Sequence, residues 1–170
     1  MDWYTTLVIM HIVGTVLGVG GATFVEVHLV RALRDGVMSP EESAIMQTTY
    51  TVLRIGFFLL IISGFGFLIL SRLSEYTAWF YSITFWMKLS IVGIIAVNAI
   101  FIQLRWVPIL WGSAIAFVSW YAALVLGIFL RDGGVSQPLW IPAVYVVAII
   151  ITYFVMREVH HRFTQPHSPH

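Results

Sequence analysis

Five apolar segments, each long enough to cross a membrane, dominate this sequence. A helix needs about 20 such residues to cross a hydrocarbon core roughly 30 Å thick. The segments run from Trp3 to Val30, from Thr49 to Ser71, from Trp79 to Leu104, from Trp106 to Leu130 and from Pro138 to Met156. Backbone polar groups in lipid must be satisfied within the protein, which favours helices for isolated apolar segments. We therefore predict an all-α integral membrane bundle of five transmembrane helices.

Composition supports the membrane prediction and excludes several other classes of protein. Of 170 residues, 59% are hydrophobic and 10% are charged, and the mean hydropathy is +0.91. A soluble fold of this size could not bury so much apolar surface, so we expect contact with the lipid bilayer. The formal net charge of +1 provides no basic patch for nucleic acid. Because the chain has no cysteine, it cannot form disulfides, iron–sulfur clusters or covalently attached heme.

We expect one transmembrane domain over residues 1–159, with helices at 3–30, 42–72, 79–104, 106–130 and 138–159. Residues 160–170 form a polar tail, whose scattered histidines are most simply solvated. The first apolar run is too long, and its start too acidic, for a cleavable signal peptide. The first segment should therefore stay in the membrane as a helix.

The connections between the segments carry helix and turn signals. Ser39-Pro40-Glu41-Glu42 is typical of an N-cap, a proline at the first helical position and an acidic first turn, so the second helix should begin before the membrane. Arg105 and Pro108 indicate a tight hairpin between the third and fourth helices. Asp132-Gly133-Gly134 indicates a loop before the fifth.

The distribution of arginines in the short loops predicts the orientation. One side carries Arg31, Arg34, Arg54, Arg105, Arg157 and Arg162, and the other carries Arg72 and Arg131. We expect the N-terminus outside and the C-terminus in the cytoplasm of a multi-pass protein of the inner (cytoplasmic) membrane. The outer aromatic belt would then contain Trp3, Tyr4, Trp79, Phe80, Tyr81 and Trp140, and the inner belt Trp106 and Trp111.

Ionisable residues within the segments are informative, because each costs about 2.5–3.5 kcal/mol near the bilayer centre on insertion scales. They are His11, Glu26, His28, Arg54 and Lys88. At ~1.5 Å per residue, His11 lies ~12 Å beyond Trp3 and Lys88 lies ~14 Å beyond Trp79, so the two share a depth. A lysine without a counter-ion in lipid favours its neutral amine, which has a lone pair to donate. His28 lies at a helix end, where an interfacial role is the simplest interpretation.

Small residues follow His11 on the same helical face. Gly14, Gly18, Gly21 and Ala22 leave a smooth wall beside the imidazole. Such a wall is typical of close helix packing, but it also leaves room for a flat ring. With His11 and Lys88 at one depth, the second interpretation predicts axial ligands for a heme iron. The alternatives are a histidine bonded to a backbone carbonyl or a hydroxyl, and a lysine that extends toward the membrane surface.

A second polar level contains Glu26 and Arg54. An ion pair between neighbouring helices is geometrically reasonable and would fix helix register. Alternatively, Arg54 could hold a ligand carboxylate such as a propionate, because guanidinium groups bind carboxylates well. Asn98 on the third segment could join either arrangement.

Three sequence motifs resemble those of the HemJ-type protoporphyrinogen oxidases and the related copper-resistance D-like membrane proteins. Met10-His11-Ile12-Val13-Gly14 with Gly20-Gly21 resembles their first helix, and Phe85-Trp86-Met87-Lys88-Leu89 resembles their third-helix lysine motif. Arg54-Ile55-Gly56 through Ser63-Gly64 is similar to their second helix. The resemblance covers roughly residues 7–100.

This resemblance implies heme b as cofactor, with His11 and Lys88 as catalytic residues and metal ligands. We expect Gly14, Gly18 and Arg54 to bind the cofactor too. The implied reaction is oxidation of protoporphyrinogen IX with electrons passed to quinone, so a porphyrin or heme and a quinone are the expected partners. Other functions left open are a small membrane transporter or metal-handling protein, in which His11, Glu26 and Lys88 would line a path, and a non-catalytic structural subunit. Homo-oligomerisation is also left open.

Overall fold

A computed structural model describes residues 2–35, 39–74, 81–131 and 138–164 of the chain, and there it contains helices and no strands. The five α-helices are α1 (Trp3–Asp35), α2 (Pro40–Leu73), α3 (Ile83–Gln103), α4 (Ile109–Arg131) and α5 (Ile141–Thr164). A short 3₁₀ helix over Pro138–Trp140 precedes α5. All five helices are long and apolar enough to cross a membrane, which confirms the prediction of an all-helical membrane bundle.

The predicted start of α2 is confirmed in detail. Ser39 is the N-cap, and its hydroxyl accepts a hydrogen bond of 3.1 Å from the Glu42 N–H. The Glu42 carboxylate in return accepts one of 2.9 Å from the Ser39 N–H, which completes a capping box. At its other end the chain differs from the prediction, because α5 continues to Thr164 into the segment expected to be tail. The predicted loop at 132–134, two belt residues (Trp79 and Phe80) and residues 165–170 lie outside the described residues.

The hairpin between α3 and α4 turns at Arg105, as the sequence predicts. Arg105 has a left-handed backbone with φ of 58°. The Trp106 N–H then donates to the Phe101 carbonyl at 3.0 Å, a bond that closes the end of a helix across a left-handed residue. The Gly112 N–H donates to the Pro108 carbonyl at 3.0 Å and starts α4. Because these bonds leave few residues between the helices, α3 and α4 are antiparallel neighbours.

The bundle is assembled around α1 and α4. Helix α1 packs against α2, α4 and α5, whereas α3 packs mainly against α4. Trp120 of α4 lies at the centre and is 2% exposed. It belongs to a buried cluster with Ala22, Ile91, Ile95, Ala123 and Leu126. The core is therefore narrow and depends on one large ring.

The outer surface of the bundle is apolar. Phe58, Ile62 and Phe65 of α2 are each more than half exposed, as are Val147 and Ile151 of α5. A protein with such an apolar surface would be insoluble in water, but this surface is usual for helices that contact lipid. The chain is therefore a multi-pass membrane protein whose helices contact the bilayer.

Candidate functional site

The imidazole of His11 is held by α2. Its Nδ1 lies 2.8 Å from the Ser63 hydroxyl, which is fully buried. The Phe67 ring lies edge-on to the imidazole, with the ring centroids 5.6 Å apart. A hydrogen bond on one side and an aromatic contact on another fix the orientation of the ring. His11 therefore has a hydroxyl partner on α2, as the alternative interpretation of the sequence predicts.

The hydrogen bonds of Ser63 determine which nitrogen of His11 carries the proton. The Ser63 hydroxyl donates to the Leu59 carbonyl at 2.7 Å, one turn earlier in α2. Because its single proton is used there, the Ser63 oxygen must accept from His11, and Nδ1 is the protonated nitrogen. Nε2 then has a free lone pair, and it has no hydrogen-bond partner among the described residues. The imidazole is arranged as a ligand or a proton acceptor.

Lys88 lies at the α3–α4 contact. Its Nζ is so close to Gly127 of α4 that a Cβ there would be 3.1 Å away. In the described part of the chain no hydrogen bond or ion pair satisfies this nitrogen. Helices α1 and α3, which carry the two predicted ligands, do not pack closely along their length.

The glycine wall beside His11 is in contact with protein. A Cβ at Gly14 would lie 2.9 Å from the Gly56 carbonyl oxygen of α2, so the two backbones touch. A Cβ at Gly18 would overlap the Trp120 ring. Close helix packing, one of the two interpretations of the sequence, is the arrangement observed. A planar guest beside Gly18 would have to displace the indole.

Glu26 and Arg54 do not form the ion pair suggested by the sequence. One Glu26 oxygen, Oε1, accepts a hydrogen bond from the Ser113 hydroxyl of α4. The other, Oε2, is buried without a hydrogen-bond partner among the described residues. Arg54 is exposed on α2. The two side chains point apart because Glu26 faces α4 while Arg54 faces the surroundings of the bundle.

Asn98 joins neither polar level. Its side-chain amide donates to the Gly112 carbonyl at 2.8 Å and is 5% exposed. This bond ties α3 to the start of α4, which is a structural role. Within the described ranges, no group of three or more His, Asp or Glu side chains could hold a metal ion. A metal at His11 would therefore need another kind of donor, such as the Lys88 amine.

Sequence reasoning missed three residues that define these sites. Ser63 orients His11, Ser113 binds Glu26, and Trp120 covers Gly18. The ionisable groups within the segments were singled out, whereas a hydroxyl was expected only as a general partner of His11, without Ser63 being identified. Both serines interrupt long apolar runs, which is a signal that could have been used. Trp120 gave no such signal, because an aromatic residue in an apolar segment is ordinary.

Neither the protein-family models, nor the curated proteins, nor the solved structures contain a match to this chain.

Proposed function

We propose that this chain is a membrane-embedded redox protein that binds b-type heme through His11 and Lys88. One observation carries the proposal: the Ser63 hydrogen bond leaves the Nε2 lone pair of His11 available as a ligand. Histidines that bind metals usually donate their other N–H to a neighbouring acceptor in this way. The orientation of the imidazole thus supports a ligand role for Nε2.

Lys88 supplies the second donor. It is the only lysine in the chain, and its amine lies beside Gly127 without a hydrogen-bond partner in the described part of the structure. A nitrogen in lipid without such a partner is costly, so its presence within the segment supports a functional role. Its neutral form donates a lone pair, which suits an iron held by two nitrogen ligands.

The donor set fits heme, whose iron takes axial ligands from the protein. When bound, the heme would supply one-electron redox chemistry within the membrane. His11 would hold the iron through Nε2, and Ser63 would keep the imidazole in the required tautomer. The exposed Arg54 remains a predicted propionate partner. Gly14 and Gly18 also remain predicted cofactor contacts, but a cofactor there would have to separate Gly14 from Gly56 of α2 and displace Trp120 from Gly18.

An absorption spectrum of the detergent-purified protein tests the proposal. We expect a Soret band, either as purified or after heme is added. The band should be lost in both His11→Ala and Lys88→Ala and retained in His28→Ala, which removes another histidine of α1. Retention in both ligand variants would refute the assignment. A protein that stays colourless with added heme would instead fit a structural subunit.

Ser63 is a positioning residue in this proposal. Ser63→Ala removes the acceptor for Nδ1, so we expect about a 10–100-fold loss of heme affinity, the usual effect of deleting such a partner. Ser63→Thr keeps the hydroxyl and should restore most of the affinity. Helical content by circular dichroism should be the same in both variants. Equal affinity in all three proteins would show that Ser63 acts only in packing.

The narrower proposal concerns the reaction and the membrane. From the motif resemblance, we propose oxidation of protoporphyrinogen IX, with quinone accepting the electrons. We also propose an N-terminus outside and a C-terminus in the cytoplasm of the inner membrane, supported by the arginine distribution. Formation of fluorescent protoporphyrin by the purified protein tests the reaction, and labelling of single cysteines introduced at either end tests the orientation. Heme binding without protoporphyrin formation would refute the enzymatic reaction and indicate an electron carrier instead.

A further inference from the structure

A small cavity lies beside Glu26, far from the His11 site along α1. Fifteen residues separate Glu26 from His11, which corresponds to about 22 Å of helix. The cavity has a volume of ≈ 30 Å³ and is lined by α1, α2, α3 and α4. Its lining includes Glu26, Tyr50, Leu53, Ile102, Ser113 and Phe117. A volume above about 10–15 Å³ accommodates a water molecule when polar groups are present.

The Glu26 carboxyl group is only half satisfied. Ser113 donates to Oε1, while Oε2 is buried and has no hydrogen-bond partner among the described residues. Because Ser113 uses its one proton on Oε1, it cannot also donate to Oε2. An ionised carboxylate with a bare oxygen in an apolar site is strongly disfavoured, whereas a neutral acid has an O–H that a water molecule can accept.

We propose that Glu26 is a proton-exchange site, neutral at physiological pH, which transfers its proton to water in this cavity and takes it back. When the proton leaves, its O–H bond electrons stay on the carboxylate, and the water becomes hydronium. The reverse step restores the neutral acid, so charge and atoms balance. The ligand of the site is a proton carried by water.

The charged and titratable groups around the cavity support a proton over a metal cation. From α2, Tyr50 faces the cavity, and it is the one titratable lining residue besides Glu26. The lining residues from α3 and α4 are Ile102, Ile109, Ser113, Ala116 and Phe117, and none of them is charged. The lining side chains therefore offer one carboxyl group and two hydroxyl groups, too few oxygens for Ca²⁺, which takes six to eight.

Infrared spectroscopy of the full chain in lipid vesicles tests the proposal during a pH titration. We expect a protonated-carboxyl C=O band at neutral pH that disappears at alkaline pH and returns on reacidification. Glu26→Gln should lack this band. Glu41→Gln, which alters an exposed carboxyl at the start of α2, should retain it. Ser113→Ala removes the donor that stabilises the carboxylate, so its band should persist to higher pH than in the unmodified protein.

Three results would overturn the proposal. The first is the absence of any band difference between the unmodified protein and Glu26→Gln, which would mean that Glu26 is always ionised. The second is a band that no alkaline pH removes, which would mean a sealed structural acid. The third is loss of the band on adding sodium chloride, but not choline chloride, at constant pH, which would indicate a sodium site. None of these results depends on heme binding, so the heme proposal stands or fails separately.

Discussion

The bundle has two polar levels, one around His11 and one around Glu26, and the polar side chain is hydrogen-bonded differently at each. At the first, the imidazole is anchored by a hydroxyl that is itself bonded to the backbone, and its second nitrogen is left with a lone pair. At the second, one carboxyl oxygen is bonded, the other is buried without a partner among the described residues, and Glu26 lines a water-sized cavity. The first arrangement suits a stationary ligand, whereas the second suits a group that exchanges its proton.

A packed layer separates the two levels, consisting of Gly14 and Gly18 of α1, Gly56 of α2 and Trp120 of α4. The glycine backbones touch, and the indole covers Gly18. This close packing fills the space between α1, α2 and α4 at this depth. The layer therefore argues against a single transport path through His11, Glu26 and Lys88.

Removing the Trp120 ring is the strongest way to break this separation. Trp120→Ala leaves a cavity at the centre of the core, and we expect a loss of about 3–5 kcal/mol in the free energy of unfolding. Thermal unfolding in detergent measures the loss. Trp86→Ala is the matched control, because Trp86 is 54% exposed and its removal opens no cavity in the core. Equal effects from the two substitutions would show that the layer is not where the bundle is stabilised.

A methyl group at Gly56 tests the helix contact in the same layer. A Cβ there would lie 2.8 Å from the Gly18 nitrogen and 2.9 Å from the Gly14 oxygen, both backbone atoms that cannot move aside alone. We expect Gly56→Ala to cost about 1–3 kcal/mol through overpacking. Gly64→Ala on the same helix meets nothing within 4 Å and should be neutral or slightly stabilising. The same thermal unfolding assay distinguishes the pair, and a neutral Gly56→Ala would contradict the close contact.

Local signals in the sequence were enough to predict most of the fold. Apolar length predicted five helices, and Ser39 with Glu42 predicted the capping box, because both depend on nearby residues. Helix ends were predicted less well: α4 begins at Ile109 instead of Trp106, after the turn at Arg105. The left-handed backbone of Arg105 ends α3 and moves the start of α4 further along the chain. The sequence does not predict this conformation, because arginine does not favour it.

The candidate sites could be predicted only in part, because they depend on which helices are neighbours. Counting residues along each helix placed His11 and Lys88 at one depth, but it could not show that Ser63 orients the imidazole. The prediction of a Glu26–Arg54 ion pair was wrong for the same reason. It took account of the depth of the two side chains in the membrane, but not of the side of its helix from which each one projects. Glu26 faces Ser113 of α4, and Arg54 is exposed.

Asp2 provides the solvent-exposed reference for Glu26 and the smallest expected effect. Its side chain accepts a hydrogen bond of 2.8 Å from the Thr5 N–H at the start of α1. Hydrogen bonds from the side chain of Thr5, which have the larger effect, and from its backbone hold the pKa of Asp2 below its ordinary value. The hydrogen-bonded Asp2 carboxylate therefore contributes its full stabilisation above the pKa that Asp2 has in the unfolded chain. This stabilisation is lost as the pH falls through the lower pKa that Asp2 has in the folded protein.

We therefore expect amide hydrogen exchange at Thr5 and Thr6 to speed up slightly at acidic pH, after correction for the intrinsic exchange rate. In Asp2→Asn, which cannot ionise, this extra change should be absent. The same acid titration should leave the Glu26 infrared band unchanged, since that carboxyl group is proposed to be neutral already. The carboxyl group that precedes α1 and the one within it would then change charge in separate pH ranges, Asp2 in acid and Glu26, as proposed, only toward alkaline pH. If both carboxyl groups changed charge in the same pH range, the assignment of Asp2 to solvent and of Glu26 to the interior of the membrane protein would be contradicted.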